Sequence, residues 1–106
     1  MSRLPKLRQT RSELLLHIGA LEEMRRGSVT RQFLKVRRQD SSEPVFSGPY
    51  PLFTFKKDGK TVSRRLRDPE EILRLEQQVE NFHAFRRLCS RLVEVSEAIC
   101  DEKERK

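Results

Sequence analysis

Four side chains in this 106-residue chain offer nitrogen or sulfur to a transition metal: His17, His83, Cys89 and Cys100. None stands in the CxxC or HxxxH spacing that a tetrahedral zinc site needs. On a helix, Cys89 and Cys100 would lie about 16 Å apart along the axis, too far to share one ion. They read as free thiols that pack as small hydrophobes. The carboxylates are no better placed for catalysis. Glu22-Glu23 and Glu70-Glu71 are sequence neighbours, and neighbours on a helix project about 100° apart, so neither pair converges on one substrate. Glu70 and Glu71 are better explained by the positive end of a helix dipole. Ser28, Ser47 and the cysteines have no histidine placed beside them as a base. Neither a phosphate-binding loop nor a dinucleotide fingerprint occurs. The expectation is a protein that is not an enzyme and needs no metal or cofactor.

The chemistry that remains is positive charge. The formal net charge is +7, and arginines outnumber lysines 16 to 7. Location matters more than the total. Residues 1–24 carry a net +1, residues 25–67 carry twelve basic and three acidic side chains for a net +9, and residues 68–106 carry a net −3. A concentrated positive region points to a polyanionic partner, where an even spread would signal only solubility. Arginine is also the residue best shaped for phosphates and base edges.

These side chains must be positioned by a thin core, since 37% of residues are charged and 35% hydrophobic. Ala, Glu, Lys, Leu and Arg supply 51 of the 106 residues, a composition typical of long helices or coiled coils. Residues 1–10 read as a loose basic arm carrying Arg3, Lys6 and Arg8. Thr10 to Glu13 has capping-box spacing, and Leu14, Ile18, Leu21 and Met24 form one stripe. The spacing predicts a first helix over 11–26, stopped by Gly27. Strands are expected over 29–37, 50–57 and 60–67. Asp58-Gly59 between the last two favours a two-residue type I′ turn. That turn opposes Lys57 to Lys60, Phe55 to Val62 and Phe53 to Arg64. One face then holds Phe53, Phe55, Val62 and Leu66. The other holds Tyr50, Leu52, Thr54, Lys56, Thr61, Ser63, Arg65 and Arg67. Asp68-Pro69-Glu70-Glu71 starts a second helix over 69–101. Its stripe runs through Ile72, Leu75, Val79, Phe82, Phe85, Leu88, Leu92, Val95 and Ile99 in near-heptad spacing. The whole is one α+β domain over 11–106, mainly helical: an N-terminal helix, a three-stranded antiparallel meander and a long coiled-coil-like helix.

Four motifs occur in order: Arg26-Gly27-Ser28-Val29-Thr30-Arg31-Gln32, Gly48-Pro49-Tyr50, Lys57-Asp58-Gly59-Lys60-Thr61 and Glu80-Asn81-Phe82. Together they resemble a family of small prokaryotic proteins of unknown function, often encoded near transposases, over roughly residues 13–100. The resemblance implies a mobile-element setting and no established activity. Many members carry cysteines like a metal knuckle before the Gly-Pro-Tyr. Here Arg37 to Ser47 contains neither Cys nor His, so that site does not carry over.

The expected function is nucleic-acid binding, DNA rather than RNA, with Arg65, Arg67, Lys56, Arg37, Arg38, Lys35 and Tyr50 as contacts. Arg64 shares the apolar face and ranks lower, since it can snorkel from the core edge. The competing reading of the same residues is a solvated strand face whose charges guard against aggregation. A further alternative is a protein-interaction adaptor acting through the long helix. By length, that helix (about 50 Å) overhangs the first (about 24 Å). A homodimer through Leu88, Leu92, Val95 and Ile99 would cover the excess. A transposase is the expected protein partner. With no apolar leader in the first residues and no segment near the ~20 apolar residues of a membrane span, the expected setting is the cytoplasm.

Overall fold

The computed structural model describes residues 2–36 and 45–105. The elements run α1 (Leu4–Ala20), β1 (Ser28–Val36), β2 (Val45–Lys57), β3 (Lys60–Arg65) and α2 (Pro69–Glu104). The strands form one antiparallel sheet in the order β1-β2-β3. The fold is therefore α+β. No helix among the described residues is long and apolar enough to cross a membrane.

The hairpin is built as its turn chemistry dictates. Asp58 and Gly59 take φ of +52° and +78°, the left-handed pair that a type I′ turn requires. Lys57 then pairs with Lys60, Phe55 with Val62 and Phe53 with Arg64. β3 ends at Arg65 rather than at residue 67, and the Leu66 N–H donates to Pro51 O at 2.9 Å. β2 begins at Val45, five residues before the expected start. It passes through Gly48 and a cis Gly48–Pro49 peptide opposite a register shift between Gln32 and Leu34. Proline cannot donate to a ladder, which suits a bulge. Gly48 has φ +132°, and a Cβ there would meet Gln32 O at 2.9 Å, so the close backbone approach needs glycine.

α1 departs from its expected bounds. It starts at Leu4, so the first ten residues are mostly helix and not a loose arm. Pro5 sits in the first turn, where its missing N–H costs nothing, and the Ser2 hydroxyl accepts the Leu4 N–H at 3.2 Å. Thr10 lies mid-helix and donates to Lys6 O at 3.0 Å instead of capping. The helix stops at Ala20 because the next backbone finds other partners. Glu23 O accepts from Asn81 Nδ2 at 2.8 Å. Arg25 N–H donates to Gln78 O at 3.0 Å. α2 starts as expected, with Asp68 Oδ1 accepting the Glu70 N–H at 3.1 Å, and ends three residues late at Glu104.

The chain divides into two compact units. The first is Arg25–Val79, the sheet with the opening turns of α2. Its core is Phe53, Leu66, Leu75 and Val79, with Val29, Phe55 and Ile72 packed around it. Phe53 and Phe55 stack with centroids 5.1 Å apart. The second unit joins residues 1–24 to residues 80–106. Within it α1 runs antiparallel to α2. The Arg3 N–H donates to Glu102 Oε1 at 3.2 Å at one end, and Asn81 holds Glu23 O at the other. Leu14 is the buried residue of α1.

Candidate nucleic-acid interface

Partners directly opposite in an antiparallel pair share a face. Phe53, Phe55, Val62 and Arg64, with Val29 from β1, form the face that meets α2 within the sheet unit. The opposite face carries Ser28, Thr30 and Gln32 from β1, Tyr50, Leu52, Thr54 and Lys56 from β2, and Thr61, Ser63 and Arg65 from β3. Tyr50, Leu52 and Thr54 on the central strand are half-buried and the others exposed.

The structure sorts the basic residues by partner. Arg31 pairs with Glu76 at 3.0 Å and Arg64 with Glu71 at 2.6 Å. Both carboxylates come from α2, so these two arginines serve the covered side of the sheet. Arg25 is held likewise, its Nε donating to Gln78 Oε1 at 3.0 Å. In contrast, Lys35, Lys56, Lys57, Lys60, Arg65 and Arg67 have no ion-pair partner among the described residues. Lys56 and Arg65 lie on the open face, and Lys57 and Lys60 flank the turn. Arg67 is exposed in the link to α2, beyond the end of β3. Lys35 is exposed beyond the register shift between β1 and β2. Arg37 and Arg38 lie outside the described residues.

Tyr50 and Arg65 are brought together. The Arg65 guanidinium carbon lies 3.7 Å from the Tyr50 ring centroid, well within cation–π range. The Tyr50 hydroxyl shares a hydrogen bond with the Ser47 hydroxyl. That bond holds the Tyr50 phenol below the usual tyrosine pKa. Partial desolvation works against the shift, and Arg65 adds to it by hydrogen bond and by charge. Beside this stack Thr54 and Ser63 bond to each other at 3.1 Å.

Ser47 and Phe33 are the members of this region that the sequence pattern did not single out. Phe33 stands opposite the extra residue of β2 at the register shift and is 60% exposed. The Gly48-Pro49 dipeptide was the available signal, since a proline inside a strand marks a bulge.

The expected overhang of α2 does not exist. Leu88, Leu92, Val95 and Ile99 are half-buried within the stretch that α1 runs beside. The earlier start of α1 and the extended residues after it carry the chain from the level of Glu102 to that of Asn81. Among the described residues no cluster of His, Cys, Asp or Glu could hold a metal ion. No protein-family model, curated protein or solved structure matches the chain.

Proposed function

We propose that this chain is a small, non-catalytic, nucleic-acid-binding accessory protein that holds DNA on the open face and hairpin tip of its sheet. The observation that carries the reading is the sorting of the cations. α2 pairs carboxylates with Arg31 and Arg64 on the covered side, while Lys56, Arg65 and the two lysines of the turn have no carboxylate partner among the described residues. Guarding against edge-to-edge pairing calls for charges on edge strands. Lys56 and Tyr50 stand on the central strand, where that purpose is not served. The resemblance to a family encoded near transposases adds a mobile-element setting in the cytoplasm, with a transposase as protein partner. A homodimer through the half-buried Leu88, Leu92, Val95 and Ile99 belongs to the same proposal.

A second reading, an adaptor acting through the helical unit, draws on Leu16 and Val93, which are 73% and 55% exposed. Gel-shift titrations with duplex DNA, single-stranded DNA and RNA at two salt concentrations separate the two. A binder loses affinity steeply as salt rises. No shift with any nucleic acid at low salt would overturn the first reading.

A further inference from the structure

Resting on the nucleic-acid reading, we infer that the open face takes single-stranded DNA, its unpaired bases stacking on the Arg65–Tyr50 pair. A guanidinium 3.7 Å from a ring centroid has one side against the ring, and exposed Arg65 offers the other to a base. The Ser47–Tyr50 hydrogen bond fixes the ring beneath it, so the plane is set before anything binds. Guanidinium planes and aromatic rings are the surfaces on which unpaired bases stack.

Lys56, free of ion pairs among the described residues and on the same face as Arg65, supplies a phosphate contact beside the stack. A duplex major groove about 12 Å wide admits a two-stranded ribbon. This face spans three strands, about 10 Å between outer backbones before side chains are added, and so suits a strand laid across it. The choice of DNA over RNA rests on the hydroxyls nearest the stack. Ser47 is bonded to Tyr50, and Thr54 and Ser63 to each other, so these hydroxyls are engaged within the sheet and not turned toward a ribose 2′-hydroxyl.

The test is fluorescence anisotropy on the full chain with labelled oligo-dT, oligo-rU and a mixed-sequence DNA duplex. Wild type, Tyr50→Leu and Arg65→Lys are compared, with circular dichroism confirming that each variant folds. Oligo-dT should bind more tightly than the other two. Each variant should lose on the order of tenfold for oligo-dT with duplex affinity unchanged, because Arg65→Lys keeps the charge and removes only the plane. Duplex binding as tight as oligo-dT, or variants that bind oligo-dT like wild type, overturns the inference and leaves the nucleic-acid reading standing. Tighter binding of oligo-rU overturns the choice of DNA. No binding to any of the three overturns both.

Discussion

Tyr50 is the sole tyrosine, and the chain has no tryptophan, so near-ultraviolet absorbance reports one phenol. Its ionisation should occur below the usual tyrosine range, because Ser47 first and Arg65 second favour the phenolate. Ser47→Ala and Arg65→Ala should each move the transition back up in an alkaline titration. An unmoved midpoint in both would show that neither group acts on the ring. The sign for stability follows. A lowered folded pKa stabilises the fold above the unfolded tyrosine pKa, and that gain is lost as pH falls through the folded value. Neutral solutions therefore see none of it. A second expectation at this scale concerns phosphate contacts. The double change Arg65→Ala, Arg67→Ala should leave the melting temperature nearly unchanged, since both side chains are exposed. The slope of log K against log salt should flatten by roughly 2 on duplex DNA if both residues meet phosphates. An unchanged slope would remove these arginines from the interface.

Among the elements, the β2–β3 hairpin was the most legible, because its information is local. Asp58-Gly59 sets the turn, the turn sets the register, and the register puts Tyr50 on the same face as Arg65 and pairs Phe53 with Arg64. The start of α2 was equally local, written in Asp68-Pro69-Glu70-Glu71. α1 was misplaced because Thr10 and Glu13 have capping spacing but spend their side chains inside the helix, on Lys6 O and Gln9. Its real start uses Ser2 and Pro5. The end of α1 and the pairing of Arg31 with Glu76 depend on contacts 45 or more residues away in sequence, which no local pattern encodes. The same distinction predicts where damage falls. Phe53 is 4% exposed at the centre of the sheet unit. Phe53→Ala should cost about 3–5 kcal/mol in urea unfolding, whereas Phe33→Ala, on an exposed ring, should cost little. Equal costs would mean that the core does not centre on Phe53.

At the scale of the whole molecule, the charge separation visible in the sequence divides mainly along units. The basic stretch belongs to the sheet unit, and the acidic excess lies along α2. The seam of the helical unit is thin. Leu88, Leu92, Val95 and Ile99 are only half-buried, so each keeps apolar surface that a second copy could cover at about 25 cal/mol per Å². Sedimentation of the wild-type chain should therefore show a dimer. Leu92→Glu, which places a carboxylate in that seam, should yield monomers of reduced melting temperature. A wild-type monomer at high concentration would sink the homodimer.

The hydrogen bond between the Arg3 N–H and Glu102 Oε1 joins residues 99 apart in sequence. Closing so long a loop costs about 4 kcal/mol in chain entropy, with few contacts of α1 returning it: Leu14 is its one buried residue. The hairpin closes across two residues and meets almost none of that cost. Assembly should then be ordered in time, the hairpin early and the docking of α1 late. The reverse excursion from the native state follows the same order. Amide hydrogens of Leu4–Ala20 should exchange with solvent ahead of those in β2, because releasing α1 alone regains the entropy of the longest loop while the sheet core stays closed.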